Sequence, residues 1–487
     1  MSDLFAALGS AAGAISVFEN ALTVTQNNIS NSATPGYVEQ TPTFEALPYD
    51  STGESGGVKS GPVSDGRDVY TENAVQLAQT ALGTWTGQIN TIQGLQTSFD
   101  ITGASGIPGA LNTLFSAFSS WAASPNDATA QQTVLNAAQG VGQAFQQQAA
   151  AISTAETSAE TNLGDLVTQV NTLTSRIQQD NIQTSNGGGA SDPSVQADLY
   201  SNLEQLAEIV PVTALKQSDG TTTVLLDGQT PLVIGKSQYQ ISSNLTVPSN
   251  PPPTFPSAPP NAQILDANGN DVTSQITTGE IGGVLQAVNV TLAQLQGSAT
   301  QQGSLNQLAQ TIADTVNGIL TGGNISDADP NTGAPAVPGV ALFSYDPANP
   351  TGIAGGLTVN PAITPSQLAA IDPGPPEVDN GIPLALANLA TPQDPADELD
   401  NMSYTQFYGN MAAQLGTAIS TAQSNQTTSQ NAVTQAQTLR QQSSGVDLNQ
   451  EAIKVLQFQQ SYDAASKVVT ILDQITQEFL DAVQTFT

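Results

Sequence analysis

The amino-acid sequence predicts a mainly α protein with β insertions, organised as nested domains. Three observations support this prediction: apolar residues recur at helical spacing near both ends of the chain, strand-like runs are confined to the middle, and helical blocks flank those runs. At 487 residues the chain is long enough for about three or four domains.

The first predicted element is an amphipathic helix at the N-terminus. Its apolar positions follow each other in steps of four and three, which is the spacing of the a and d positions of a coiled coil. Pro35 cannot continue a helix, so this helix is expected to end in the turn before it. The predicted seam consists of Leu4, Leu8, Ala11, Ile15, Phe18, Leu22, Thr25 and Ile29.

The last predicted element is a second long amphipathic helix, which begins near Leu448. A single helix of this kind most often buries its stripe in a globular core. Two such helices at opposite ends of the chain are instead expected to pack together as a coiled-coil module, which stays loose until neighbouring copies bury more surface. The seam of the last helix consists of Phe458, Ser461, Ala465, Val468, Leu472, Ile475, Phe479 and Ala482, with a second apolar row at Val455, Tyr462 and Val469.

Long helices are predicted after a connector. The segment from Val38 to Pro62 is rich in Pro, Gly and Ser, and we expect it to be a connector with short extended pieces. Residues 73–183 carry helical periodicity with breaks at 103–109 and 124–127, and Asp192-Pro193-Ser194 begins a further helix.

At Pro211 the apolar period changes from that of a helix to that of a strand. Runs of β-branched residues are separated by Asp219-Gly220 and by Asp227-Gly228, which are typical of hairpin turns. The segment from Pro248 to Pro260 has seven prolines in thirteen residues, so it can form neither a helix nor a central strand. We expect a surface loop there.

Helical spacing returns over 279–320 and over 403–440, with short strands predicted near 341–345 and 357–360. Because helical blocks bracket the strand-rich segments, we expect halves that are distant in sequence to meet in each helical layer. The predicted domains are a terminal coiled-coil assembly module (1–45 with 445–487), a long-helix bundle domain (46–210 with 279–320 and 400–444) and a strand-rich outer domain (211–278 with 321–399).

Composition excludes several classes of function. The 8 basic residues are scattered among 41 acidic ones and the net charge is −33, so no nucleic-acid-binding surface is expected. Cysteine and histidine are absent, which excludes Ser-His-Asp catalysis, Cys-His catalysis and thiolate zinc sites. The sequence shows no uninterrupted apolar stretch long enough to span a membrane and no secretory signal peptide, so no membrane partner is expected.

The acidic motifs favour a structural interpretation. Residues 266–271 are similar to the start of a calcium loop, but the sixth position is Asp271 instead of Gly and the twelfth is Thr277 instead of Glu. A plain β-turn is therefore expected. Three carboxylates on one predicted helix are expected to form a solvated face: Asp198, Glu204 and Glu208. We predict no catalytic residue, no metal site and no cofactor.

The turn after the first helix carries a recognisable motif. Pro35 ends the helix, Gly36 permits a positive φ and Tyr37 can anchor the emerging strand. With the preceding seam, this turn resembles the rod and hook family of bacterial flagellar axial proteins, whose N-terminal signature is Asn-Ile-Ala-Asn-x-x-Thr-Pro-Gly-Tyr. Here Ser30 replaces the usual Ala, and Val38-Glu39 stands where the closest branch often has Ser-Arg. The signature-turn residues are Asn28, Asn31, Thr34, Pro35, Gly36 and Tyr37.

The C-terminal segment narrows the resemblance. Residues 444–451, followed by 459–468, resemble the C-terminal signature of the hook-associated branch of this family. Hook protein and rod proteins share the N-terminal signature but end differently. Residues 279–285, the 305–317 helix and Leu342-Phe343 also resemble the middle of that branch.

The resemblance implies a structural subunit that joins the flagellar hook to the filament by helical polymerisation of its terminal helices. It further implies export through the flagellar type III apparatus and an extracellular location in the flagellum, without a cleaved signal peptide. The implied partners are further copies of the chain, hook protein, hook-associated protein 3 on the filament side, and an export chaperone at the C-terminal helix. The expected assembly interface consists of Leu8, Ile15, Phe18, Leu22, Ile29, Phe458, Tyr462, Val469, Leu472, Ile475 and Phe479.

Two alternatives stay open at this stage. The Asp-rich, strand-containing middle is compatible with a secreted acidic carbohydrate-acting enzyme, or an adhesin, carried on a helical stalk. Another flagellar axial protein, such as the hook protein, would share the N-terminal turn. The 459–468 segment favours the hook-associated branch.

Overall fold

The computed structural model describes residues 2–48, 56–100, 102–186, 192–247, 254–255, 258–328, 331 and 334–485. Contacts divide the chain into two compact units, each assembled from separate stretches of sequence. Unit 1 comprises Met1–Ala81, Val170–Gln240 and Thr428–Thr487, and unit 2 comprises Leu82–Gln169 and Ile241–Thr427. The first and last helices therefore belong to the same unit.

Helices dominate the described residues, which confirms the mainly α class. A π-helical segment, Ala287–Leu292, joins α6 to α7. The helices are α1 (Ser2–Asn31), α2 (Val69–Ile92), α3 (Gly106–Ala123), α4 (Ala128–Ser185), α5 (Pro193–Ile209), α6 (Gly279–Gln286), α7 (Ala293–Gln296), α8 (Ser304–Gly322), α9 (Ile353–Gly356), α10 (Gly381–Asn388), α11 (Tyr404–Ser444) and α12 (Leu448–Thr485).

The β insertions are short antiparallel ladders. A four-stranded sheet has the order β5-β6-β7-β8, and the other described strands pair two by two as β1-β4, β2-β3, β9-β10, β11-β12 and β13-β14. The strands are β1 (Gln40–Thr41), β2 (Phe44–Ala46), β3 (Val58–Ser60), β4 (Ser64–Asp65), β5 (Val212–Lys216), β6 (Thr222–Leu226), β7 (Thr230–Ile234), β8 (Ser237–Gln238), β9 (Ser242–Thr246), β10 (Asn261–Leu265), β11 (Asn324–Ser326), β12 (Val337–Pro338), β13 (Phe343–Ser344) and β14 (Thr358–Val359).

The two predicted hairpins are confirmed in the four-stranded sheet. Gly220 joins β5 to β6 with φ +85°, while Asp227 (φ +46°) and Gly228 (φ +70°) join β6 to β7. Asp and Gly are among the residues that tolerate this left-handed backbone, which explains the turn signal in the sequence. On the helical side, Asn181 of α4 donates to the carbonyl oxygens of Thr222 and Gly235, each at 2.8 Å, and so fixes the sheet to α4.

Unit 2 contains a large apolar core. Trp121 and Phe118 of α3, Phe145 of α4 and Tyr408 of α11 are fully buried in it. The Tyr408 ring stacks on Phe99 with 5.9 Å between ring centroids. Buried aromatic side chains of this size contribute strongly to the hydrophobic free energy of folding.

The predicted helix over 279–320 is wrong in one place. The helical segment that contains α7 stops at Gln296, and α8 begins at Ser304. Gly297 (φ +114°) and Gly303 (φ +86°) hold backbone conformations that residues with a Cβ rarely adopt. The interruption therefore depends on these two glycines. The sequence did not predict it, because the apolar periodicity was interpreted as one continuous helical segment.

The strands of the predicted strand-rich domain are divided between the two units. The sheet β5 to β8 belongs to unit 1, whereas β9 to β14 belong to unit 2. The three-part domain division stays a prediction. Most of the Pro-rich segment 248–260 lies outside the described residues, which include only 254–255 and 258–260 of it.

Helix α1 is more apolar than the sequence analysis recognised. Over Leu4–Asn31 it is long and apolar enough to cross a membrane by length and composition alone. In unit 1 this helix packs against α12. Only 11% of its most apolar window is buried, so most of the apolar surface of α1 stays uncovered in a single copy. Small residues such as Gly9 and Gly13 made this character inconspicuous in the sequence.

Glu156 of α4 is a carboxyl group in an apolar setting within unit 2. It lines a cavity of about 150 Å³ together with Leu245, Pro259, Ala262 and Val288. Burial raises the pKa of Glu156 from 4.5 to about 7, and a hydrogen bond with the Gln296 side chain partly opposes this rise. The folded state therefore favours the protonated form of this carboxyl.

We expect the stability of unit 2 to fall as pH rises from about 4.5 to about 7, because the folded state holds a proton on Glu156 that the unfolded state releases. In Glu156→Gln the loss of unfolding free energy over this pH range should be smaller by about 1–3 kcal/mol. This range is lower than the full pKa shift implies, because Glu156 is partly exposed to solvent. Thermal unfolding between pH 4.5 and pH 8 measures the effect. Glu160→Gln, an exposed carboxyl one turn away, is the control. An unchanged pH slope in Glu156→Gln would contradict the prediction.

Candidate assembly site

Helices α1 and α12 pack against each other in unit 1 and run antiparallel. Asn28, near the end of α1, hydrogen-bonds Glu451, near the start of α12. Further back along α1, Phe18 and the more distal Phe458 of α12 both lie against the ring of Phe44. Moving towards the start of α1 thus corresponds to moving towards the end of α12.

The buried face of α1 is turned slightly from the predicted seam. Val17, Ala21, Thr25 and Asn28 are almost completely buried. Of the predicted interface residues on α1, Ile29 is exposed and the others are half-buried: Leu8, Ile15, Phe18 and Leu22. A helix carrying apolar residues around more than half of its circumference does not reveal from periodicity alone which face is buried.

The predicted interface residues of α12 fall on two different faces. Half-buried side chains lie on the side that carries Glu451, and we call them the inner face: Val455, Phe458, Tyr462, Val469 and Leu472. A row of exposed side chains lies about 80° to 160° around the helix from Glu451 at 100° per residue, and we call it the outer row: Ile453, Val468, Ile471, Ile475 and Phe479. Leu472 borders this row, and Leu456 and Leu480 are exposed outside it. The apolar surface of α12 is therefore wider than the face turned towards α1.

The predicted connector is a structural part of this site. Its β2-β3 hairpin places Phe44 between Phe18 and Phe458, with ring centroids 6.5 Å and 6.2 Å apart. The hairpin is fixed to α1, because the Ser10 hydroxyl donates to the carbonyl oxygen of Gly56 at 3.1 Å and the Asn20 amide donates to Ser60 at 3.2 Å. Its high content of Pro, Gly and Ser concealed this role.

The signature turn is tightly constrained at Gly36. The turn closes when Thr34 N donates to the Asn31 carbonyl at 2.9 Å and Tyr37 N donates to the Thr34 carbonyl at 3.1 Å. Gly36 has φ +74°, and a Cβ at this position would collide with the Ala197 carbonyl of α5. Glycine is required here both for the backbone conformation and for the close approach to α5.

The side chain of Asn28 joins three segments. Its Nδ2 donates to the Gln40 carbonyl at 2.8 Å and to Glu451 Oε2 at 2.9 Å. Its Oδ1 accepts from Gln40 N at 3.0 Å and from the Tyr37 hydroxyl at 2.9 Å. The amide therefore uses its full hydrogen-bonding capacity to join α1, the chain after the turn, and α12.

Glu451 is completely buried but paired. Lys454 Nζ lies 2.6 Å from Glu451 Oε1 and 2.5 Å from Glu39 Oε1, so one cation bridges two carboxylates. Burial, together with the negative charge of Glu451, raises the pKa of Tyr37 to about 12, which keeps the phenol protonated as a donor. Asp447 caps α12 by accepting from Asn449 N at 2.9 Å, and these backbone hydrogen bonds lower the pKa of its carboxyl.

A second ionic network also holds the turn. Arg67 donates to the Gly36 carbonyl and to Glu72, each at 2.6 Å, and its guanidinium lies 3.7 Å from the centroid of the Tyr200 ring. Arg440 of α11 contacts Glu72 at 3.3 Å and Glu204 at 2.7 Å. Charge-assisted bonds among largely buried groups thus connect the turn to α2, α5 and α11.

The prediction that three carboxylates form a solvated face on α5 is wrong for two of them. Glu204 is half-buried and ion-paired, and Glu208 is half-buried with a pKa raised by burial and by the charge of Glu204. Asp198 is exposed as predicted. Arg67 and Arg440, 373 positions apart in the sequence, meet here on Glu72. Among the described residues, Lys59 and Lys454 form further ion pairs elsewhere in unit 1.

The described part of the chain holds no group of three or more His, Cys, Asp or Glu side chains placed to bind a metal ion. In the segment similar to a calcium loop, the Asp266 carboxylate instead accepts from the backbone N–H groups of Asn268 and Asn270, each at 2.8 Å. These hydrogen bonds build the β-turn that the sequence predicts there.

Two family models match the chain. Residues 92–336 match the flagellar hook-associated protein FlgK helical domain, and residues 435–482 match the flagellar basal body rod FlgEFG protein C-terminal region. The first match covers half of the chain, and the second covers most of α12.

Individual relatives agree with the family models. The flagellar hook-associated protein 1 of Bacillus subtilis is 22% identical, and the match covers 99% of each chain. The protein of the same name from Salmonella typhimurium is 27% identical over 64% of this chain and 56% of its own length. A solved structure, the flagellar hook junction protein FlgK from Burkholderia pseudomallei, shares the fold with a TM-score of 0.62 over 76% of this chain and 99% of its own, at 16% identity.

Gly36→Ala should destabilise unit 1 by about 2–4 kcal/mol, because it combines left-handed strain with a collision against α5. Denaturant unfolding measures the change. The matched control is Gly9→Ala in α1, where an added Cβ meets nothing within 4 Å and a gain of about 0.5–1 kcal/mol is expected. Equal effects of the two substitutions would refute the proposed constraint at Gly36.

Lys454→Met should destabilise unit 1 by about 2–4 kcal/mol, because it leaves the fully buried Glu451 carboxylate without its cation. Lys59→Met removes an ion pair whose two side chains are about half exposed, so it should cost at most about 1 kcal/mol. Chemical denaturation at low and at high salt compares the two variants. A Lys454→Met variant as stable as Lys59→Met would show that the bridge is not stabilising.

Proposed function

The chain belongs to the flagellar hook-associated protein FlgK family, and on this premise we propose that it joins hook to filament by polymerising through helices α1 and α12. It is a structural subunit of the bacterial flagellum and not an enzyme. What supports the proposed mechanism is the apolar surface that the terminal helices leave uncovered in a single copy.

The outer row of α12 is the observation that carries the proposal. Val468, Ile471, Ile475 and Phe479 are each about half exposed, and they occupy one side of the helix over more than three turns. Contiguous exposed apolar surface of this kind marks a protein-binding site, because leaving it in water is unfavourable. The inner face adjoins this surface and packs on α1.

Helix α1 is suited to burial among several copies. From Leu4 to Asn31 its only charged residue is Glu19, so burying it desolvates few charges. Phe5 is exposed on this helix and offers additional apolar surface. A row on α12 that contacts a different surface on the next copy produces a head-to-tail interface, which is the type that builds helical assemblies.

The proposal includes the partners and location that the sequence resemblance implies. Hook protein would lie on one side of the polymer and hook-associated protein 3 on the filament side. The outer row would also be the binding surface of an export chaperone before assembly, since an apolar helix face is what such a partner covers. Export through the type III apparatus, without a cleaved signal peptide, would deliver the chain to the outside of the cell.

The predicted terminal module, 1–45 with 445–487, would be the polymerising part. Within it, the signature turn would set the direction in which the chain leaves α1, because Gly36 and Arg67 fix it against the rest of unit 1. The looseness expected of the helix pair in an isolated copy stays a prediction.

Ile471→Glu combined with Ile475→Glu should abolish polymerisation and swimming, because two charges would be buried in the contact between copies. The monomer should keep its helix content, since both side chains are exposed in it. Sedimentation velocity and motility of a complemented deletion strain measure the two effects.

Gln474→Glu is the matched control, since it adds one charge at an exposed position of the same helix beside the outer row. This variant should assemble normally. Deleting residues 468–487 should likewise leave unit 2 folded and prevent assembly. If the Ile471→Glu, Ile475→Glu chain still polymerised and supported swimming, the proposed mechanism would be wrong.

A further inference from the structure

We propose that the buried Asn28–Glu451 pair is a positioning device that selects which of the two apolar faces of α12 packs on α1. The inner face packs there and the outer row stays exposed. The pair would thereby decide which surface a single copy presents to its neighbours.

Apolar attraction does not make this choice by itself. Both faces of α12 carry large aliphatic and aromatic side chains at helical spacing, and the outer row is as apolar as the inner face. Heptad analysis of the sequence indeed mixes the two, because Val468, Ile475 and Phe479 continue the same steps as Phe458 and Leu472. A rotation of α12 by about 120° would exchange one apolar surface for another.

The polar pair distinguishes the two rotations. In the observed arrangement Asn28 donates to Glu451 at 2.9 Å, and both residues are essentially inaccessible to solvent. Rotating α12 would carry the Glu451 carboxylate away from Asn28 and leave an amide hydrogen buried without an acceptor. Buried polar groups that lose their partners are strongly disfavoured, which is how single polar residues specify one arrangement in helix pairs.

The neighbouring Lys454 cation stabilises Glu451 but does not by itself fix the rotation of α12. Lys454 lies on the same helix as Glu451 and turns with it, so their mutual bond is insensitive to the rotation of α12. Two polar contacts among the described residues tie α12 to the N-terminal segment, the Asn28–Glu451 hydrogen bond and the Glu39–Lys454 ion pair. Only the first of these is fully buried, since the side chains of Glu39 and Lys454 are 26% and 28% exposed.

Two adjacent valines provide a direct readout. Val468 lies in the outer row and is exposed, while Val469 lies on the inner face and is half-buried. Because the chain contains no cysteine, Val468→Cys and Val469→Cys each introduce a single thiol into the full-length protein. In the parent background, a maleimide should label the cysteine at 468 several times faster than the one at 469.

The test introduces Asn28→Leu together with Glu451→Leu, which replaces both polar partners by apolar groups. We expect the helix content to be retained and the ratio of the two labelling rates to collapse or invert. Labelling is done at protein concentrations where sedimentation shows monomer, so the result does not depend on polymerisation. The consequence for assembly rests on the proposed function, whereas the labelling ratio does not.

A second pair of variants keeps the side-chain sizes. Asn28→Asp places a carboxylate against Glu451 and should collapse the labelling ratio. Adding Glu451→Gln to it supplies a donor that restores the hydrogen bond in the reverse direction, and the ratio should return towards the parent value.

The proposal fails if the ratio is unchanged in both Asn28→Asp and the double-leucine variant. It also fails if both cysteines become equally fast because helix content is lost, and if Glu451→Gln does not rescue Asn28→Asp. In those cases the pair would stabilise the module without selecting a face.

Discussion

Unit 1 depends on the complete hydrogen bonding of one buried amide. Asn28 joins the end of α1, the strand after the turn and the start of α12; its neighbour Glu451 is buried with it, and Tyr37 is half-buried. Removing either Asn28 or Glu451 would leave the other buried and short of a partner, so the two are most stable together. The hydrophobic faces of α1 and α12 supply attraction, while this cluster supplies the specific geometry.

The small number of basic residues determines how the other carboxylates of unit 1 are paired. With 8 basic residues against 41 acidic ones, every buried carboxylate competes for few partners. Arg67, Arg440 and Lys454 each contact two carboxylates, and Arg67 also holds the Gly36 carbonyl. Bridging geometry of this kind lets a small number of positive charges neutralise several acids in one region.

Much of the fold was predictable because local signals agree with it. Pro35 and Gly36 mark the end of α1, Asp192-Pro193 begins α5, and Asp227-Gly228 joins two strands, each for a reason that operates over a few residues. The convergence of Glu72, Glu204 and Arg440 was not predictable, because it joins positions hundreds of residues apart. The sequence also did not predict that Val469 is half-buried while Val468 is exposed, because the apolar periodicity includes both.

The distribution of unit 1 along the chain has a kinetic consequence. The hydrogen bond between Asn28 and Glu451 closes a separation of 423 residues. Contacts of such long range form slowly, because the loop entropy is lost before the contact stabilises anything. A polypeptide that emerges N-terminus first therefore cannot complete unit 1 until its final helix has followed. Unit 1 of such a polypeptide can therefore finish folding only after almost the whole chain has emerged.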